Sequence, residues 1–155
     1  MTRCSTLLIL FLLCTAPAWA CFGPKLYIGV EPGAAGDLNF ALVSLYIKEK
    51  TGVEAVRVAV AGKDAAAAIA AAKEVDLATA PAASAGGILT LPDGAILLAG
   101  QRVRDDLQFT TVLPALSKLQ RLLAQVDGAA LLTRVRAGEG AVAVARSWFK
   151  AQKAL

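Results

Sequence analysis

The chain has 155 residues, with sixteen Lys or Arg against twelve Asp or Glu, a formal net charge of +4 and no histidine. The missing histidine removes the commonest general base and the commonest transition-metal ligand together. The basic residues are interleaved with acids, the arginines pairing at Arg102/Arg104 and Arg134/Arg136 without aromatics between them, so the basic stripe that nucleic-acid binding requires is absent.

Residues 1–20 have the layout of a signal peptide. Arg3 supplies the positive start, Leu7 to Leu13 form a short apolar run, and Ala18-Trp19-Ala20 puts small residues where a signal peptidase cuts. The run is too short to span a bilayer, which takes about 20 apolar residues. Export is therefore expected, to the periplasm, with one domain over residues 21–155. Cys4 and Cys14 leave with the signal, so Cys21 is the lone mature cysteine, and an intramolecular disulfide or a cysteine zinc site is excluded. Its position directly after Ala20 admits a second reading, a lipobox whose cysteine is acylated. That lipid would be the chain's only tie to a membrane.

Lys25 to Val30 is short and β-branched and runs into Glu31-Pro32-Gly33-Ala34-Ala35-Gly36, so a strand leading into a glycine-rich turn is expected. A helix follows from about Asp37, whose carboxylate suits an N-cap or first-turn position. Leu38, Leu42, Leu45 and Tyr46 recur at helical spacing, and Gly52 supplies the C-cap. Residues 53–61 alternate, with Val56, Val58 and Val60 on one face, as a second strand. Gly62-Lys63-Asp64 opens an alanine-rich helix over 65–73, and residues 75–80 form a third strand ended by Pro81. Short connections in a β-α-β-α-β order predict parallel strands, with ligands bound at their carboxyl ends.

The second half changes character. Residues 81–87 form a loop of small residues, and Pro92-Asp93-Gly94 is turn chemistry between two short strands over 88–91 and 95–98. Helices are expected at about 113–125, 128–136 and 141–153.

Catalytic chemistry is scarce. Ser44, Ser84, Ser117 and Ser147 have no histidine to activate them, and Ser84 does not sit in a Gly-x-Ser-x-Gly elbow. Lys63-Asp64, Glu74/Asp76 and Asp105/Asp106 read as helix-end charges or solvated faces. An enzyme is not expected, nor a cofactor or metal.

The signal peptide and candidate lipobox, Lys25-Leu26-Tyr27-Ile28-Gly29, a helix ending Lys48-Glu49-Lys50-Thr51-Gly52-Val53-Glu54-Ala55, and Val75-Asp76-Leu77 together resemble the start of quaternary-amine substrate-binding proteins. Those serve ABC importers of the glycine betaine, choline and osmoprotectant type. Leu91 to Leu98, Gln101 to Leu107 and Leu113-Pro114-Ala115-Leu116-Ser117-Lys118-Leu119 resemble that family's return segment. Leu123 to Asp127 and Gly140 to Phe149 resemble its closing helices.

The resemblance implies an α/β fold, a single lobe of the type II periplasmic-binding-protein kind, with a mainly parallel central sheet flanked by helices. The family's second lobe, inserted between the third strand and the return segment, has no counterpart beyond the loop 81–87. The implied function is extracytoplasmic solute binding for transmembrane transport, with a quaternary amine as ligand and an ABC permease or other envelope protein as partner. The site is expected at the strand ends: Glu31, Gly33, Gly36, Asp37, Gly62, Lys63, Asp64 and Ala80. Family members cage their ligand with aromatics, whereas Phe22, Tyr27, Phe40, Tyr46, Phe109, Trp148 and Phe149 here read as packing residues. The alternative is a structural or interaction protein of the cell envelope whose bare lobe surface docks on another protein or on a second copy of itself.

Overall fold

The computed structural model describes residues 23–60 and 75–154, together with Ala67 and Ile69. The signal segment, Cys21, Phe22, Gly62-Lys63-Asp64 and all other positions of the expected helix over 65–73 lie outside the described residues.

Strand β1 (Lys25–Val30) alternates as a central strand must. Leu26, Ile28 and Val30 are buried on one face, while Gly29 lies against Val60, Val75 and Ala78 on the other. Helix α1 (Ala34–Thr51) begins three residues before the expected start, so Asp37 falls within its first turn and Gly33 takes the N-cap position. It ends on Gly52 as expected, with φ 73° and a bond from the Gly52 N–H to the Lys48 carbonyl. Strand β2 (Glu54–Ala59) then lies parallel to β1, and β3 (Leu77–Ala80) lies parallel on the other side of β1.

The expectation of a mainly parallel sheet is corrected by the next two strands. β4 (Leu89–Thr90) and β5 (Ile96–Ala99) form the anticipated hairpin around Pro92-Asp93-Gly94, and β5 runs antiparallel to both β4 and β3. Of the four pairings among the described residues, two are parallel and two antiparallel, in the order β2-β1-β3-β5-β4. The reason is topological. A parallel return needs a crossover of a dozen or more residues over a sheet face, whereas a tight turn reverses the chain and brings β5 back beside β3. The result is an α/β fold with a mixed five-stranded sheet flanked by helices.

Beyond β5 come the short helix α2 (Gln101–Asp105), a 3-10 turn (Leu107–Phe109), and helices α3 (Val112–Leu123), α4 (Gly128–Arg136) and α5 (Ala141–Ala151). Asp127 caps α4 by accepting from the Ala130 N–H at 3.2 Å. Helices α3, α4 and α5 pack against α1, which packs on β1 and β2, so α1 is covered on both sides. That explains a sequence too apolar for a surface helix: Leu38, Ala41, Leu42, Val43, Tyr46 and Ile47 are all buried. Tyr46 stacks on Phe149 at 5.5 Å between ring centroids, and Phe149 meets Trp148 at 4.8 Å. These rings close the core between α1 and α5 and are packing residues, as anticipated.

One charged residue departs from its expected role. Asp76 read as a helix-end or solvated charge, yet it is only 4% exposed. Its Oδ2 accepts from the Tyr27 N–H at 2.8 Å, and Arg102 Nη1 reaches both carboxylate oxygens at 3.0 and 3.1 Å. The Arg102 guanidinium in turn lies over the Phe109 ring at 4.8 Å. The backbone joins in, because the Asp76 N–H donates to Tyr27 O and its carbonyl accepts from Gly100 N–H, both at 2.8 Å. This knot ties β1, the entry to β3 and the exit from β5 together at one end of the sheet.

Candidate functional site

Because β1 and β3 are parallel, their carboxyl ends open on the same edge of the sheet, opposite the Asp76 knot. A cleft of about 340 Å³ lies there. One wall is the turn from Glu31 into the first residues of α1, through Gly36. A second is the end of β3, with Thr79, Ala80 and Pro81. The hairpin contributes Asp93 and Ala95, α1 contributes Asn39, and Arg136 comes from the last turn of α4.

The turn is built by its glycines. Gly33 has φ 117°, a backbone conformation that side chains rarely adopt. At Gly36 a Cβ would fall 1.8 Å from the Glu31 carbonyl oxygen, so only glycine lets the helix start this close to the strand end. The first N–H groups of any helix lack intrahelical acceptors. Here Gly33 brings no side chain to cap them, and Ala34, Ala35 and Gly36 line the cleft. The start of α1 therefore presents donors and the positive end of a helix dipole to the cavity.

Asn39 is buried at 2% exposure, one turn further along α1. Its Nδ2 donates to Asp93 Oδ2 at 2.9 Å, while Asp93 Oδ1 accepts from the Ala95 N–H at 3.1 Å. The Asn39 Oδ1 atom is buried without a partner. The neighbouring carboxylate fixes this orientation, since only the amide nitrogen can donate to Asp93. Glu31 and Arg136 are exposed at the mouth, and Arg136 takes part in no ion pair among the described residues. The cleft thus combines an uncapped helix start and a guanidinium with two carboxylates, while the unpaired Asn39 Oδ1 is shut off from solvent.

Of the residues expected at the site, Glu31, Gly33, Gly36 and Ala80 come together in this cleft. Asp37 does not line it, and its carboxylate is paired with Arg57 of β2. Gly62, Lys63 and Asp64, and the candidate lipidation site Cys21, lie outside the described residues. Asn39, Asp93 and Arg136 were not foreseen. Asn39 sits inside the apolar run Leu38 to Val43, which was the available signal, since a polar side chain there must find a partner or a ligand.

No aromatic residue is among those lining the cleft. Among the described residues no group of His, Cys, Asp or Glu is placed to hold a metal ion, and no helix is long and apolar enough to cross a membrane. No protein-family model matches the chain, and neither a curated protein nor a solved structure matches it at a significant level.

Proposed function

We propose that this chain is an exported solute-binding domain of the periplasm, resembling one lobe of the substrate-binding subunits that deliver quaternary amines and related osmoprotectants to ABC importers. The observation that carries the reading is the cleft at the carboxyl ends of β1 and β3, where an uncapped helix start meets Glu31, Asp93 and Arg136. Open α/β sheets bind ligands at strand ends of this kind. The return segment suggested by the resemblance, Leu91 to Leu98, supports the same reading by bringing Asp93 and Ala95 to the cleft. The role is binding rather than catalysis, and an ABC permease or another envelope protein is the partner. Acylation of Cys21 would hold the domain beside the membrane.

A thermal-shift screen of the purified protein against quaternary amines, amino acids, sugars and common anions tests this. A solute at 100 times its Kd adds about 2.7 kcal/mol of stability, a readily visible rise in Tm. A rise with one class of solute is expected. A cooperative melt that no solute moves would contradict solute binding and favour a domain that docks on a protein partner or a second copy of itself.

A further inference from the structure

We propose that the end of the molecule opposite the cleft is a docking surface for an anionic lipid membrane. Along the sequence the basic residues are scattered among acids, but the fold gathers them. Residues 112–154 hold seven Lys or Arg against two Asp or Glu, and both acids are engaged, Asp127 as the cap of α4 and Glu139 with Arg134. The last turns of α1, α3 and α5 meet around the Tyr46–Phe149 stack. Lys50 of α1 lies over the Tyr46 ring at 5.8 Å, Arg121 of α3 acts electrostatically on the Tyr46 phenol, and Lys150 of α5 follows Phe149. Together with Lys118, Arg146 and Lys153 these side chains are exposed, and all six enter no ion pair among the described residues. The exposed acids at this end, Glu49 and, at the α2 corner, Asp105 and Asp106, are fewer. Complementing a helix dipole accounts for a cation at one helix end, but not for three such ends brought together with this excess.

The partner follows from two observations. First, β1 and β2 begin at this end, since Lys25 pairs with Glu54 and Glu54 is bridged to Lys48 in the last turn of α1. Residues 1–22 therefore join the described chain here, at Gly23, and a lipid on Cys21 would be attached two residues earlier in the chain. Second, the surface has no apolar centre. Among the described residues the exposed large hydrophobic side chains are Leu107 and Val142, whereas protein interfaces are centred on buried aromatic or aliphatic anchors. A fluid layer of anionic headgroups needs no such centre. It is met by long cations from several helices, each raising the partition coefficient about fivefold. The cleft lies at the other end of α1, an 18-residue helix or about 27 Å away, and stays open to solvent in this orientation. Membrane docking therefore stands apart from solute binding.

Sedimentation of the purified protein with vesicles of mixed phosphatidylglycerol and phosphatidylcholine, against vesicles of phosphatidylcholine alone, tests the proposal. The neutral vesicles report whatever residues 1–20 or an acyl chain contribute by themselves. Partition into the anionic vesicles should be at least roughly tenfold higher at about 0.05 M salt. It should fall to the neutral level at about 0.5 M, where charges are screened within about 4 Å. Arg121→Gln should lower the partition about fivefold. Arg136→Gln, the same change of net charge placed at the cleft mouth, should leave it unchanged, and both variants should keep the parent Tm. Combining Lys50→Gln, Arg121→Gln and Lys150→Gln should abolish the preference for anionic vesicles. Equal partition into neutral and anionic vesicles would overturn the proposal. So would equal losses from Arg121→Gln and Arg136→Gln, which would trace binding to net charge rather than to this end. Retention on heparin without vesicle binding would overturn it as well, in favour of a nucleic acid or an acidic protein.

Discussion

Asp76 and Asn39 are the two buried polar side chains among the described residues, and their hydrogen bonding is completed to opposite degrees. Asp76 stands where β3 begins, with a backbone N–H and a guanidinium on its oxygens. Asn39 stands at the opposite edge, holding Asp93 through its nitrogen and nothing through its oxygen. A buried polar group that is fully paired fixes the chain in place, and one left half-paired costs stability. The first pattern belongs to a structural knot. The second is not peculiar to the cleft, since the Trp148 Nε1 atom is buried without a partner in the core as well.

The sharpest way to break this comparison is to remove each group in turn. Asp76→Ala leaves the Tyr27 N–H without its acceptor and Arg102 without its counter-charge. Because the Arg102 side chain is 41% exposed it can turn to water, so the expected loss is about 2–3 kcal/mol in urea unfolding. Gly36→Ala comes next. Its Cβ meets the Glu31 carbonyl, so the turn must shift, costing about 1–3 kcal/mol and distorting the cleft. Asn39→Leu should change stability by less than about 1 kcal/mol in either direction, because the lost bond to the exposed Asp93 is offset by removal of the unfilled acceptor. A loss of Asp76 size at Asn39 would mean that both groups are structural.

Much of the scaffold was legible from local pattern. The alternation of β1, the apolar spacing of α1, the Gly52 cap and the Pro92-Asp93-Gly94 turn each carry their own chemistry in consecutive residues, and each lies where that chemistry put it. The direction of β5 was not legible, because a short apolar strand reads the same in parallel and antiparallel pairings. Part of the lining of the cleft was legible for the same reason as the turn: Glu31, Gly33 and Gly36 lie close together in sequence, and Ala80 ends a recognisable strand. Asn39, Asp93 and Arg136 come from three elements that meet only in the folded chain. Seen alone, Asp93 is a turn residue and Arg136 a cation at a helix end. Asp76 reads as a solvated charge from the sequence because its partner Arg102 is distant along the chain.

Two smaller effects sharpen the contrast between the core and the surface. Burial pushes the Tyr46 phenol pKa up, with Arg121 opposing more weakly. The fold then favours the neutral phenol, so its contribution is complete below about pH 10 and is lost as pH rises through the raised value. Tyr46→Phe should remove that part of the alkaline loss of stability in a pH series of melts. Glu139 differs in kind. Its hydrogen bonds to Arg134 hold its pKa below the ordinary carboxylate range, so the pair's contribution is present above that range and lost as pH falls through the lowered value. The pair is solvent-exposed, and Glu139→Gln should leave Tm at neutral pH unchanged within experimental scatter.

The most direct test of the cleft as a binding site is a nitrogen-15 NMR titration of the protein with the solute that stabilises it most. Shifts should concentrate on the backbone amides of Gly33 to Gly36, on the Asn39 side-chain amide, and on Thr79 and Asp93, while the amides around Asp76 and in the Tyr46–Phe149 core stay in place. Saturable shifts centred elsewhere on the surface, with the Asn39 amide unmoved, would contradict the account.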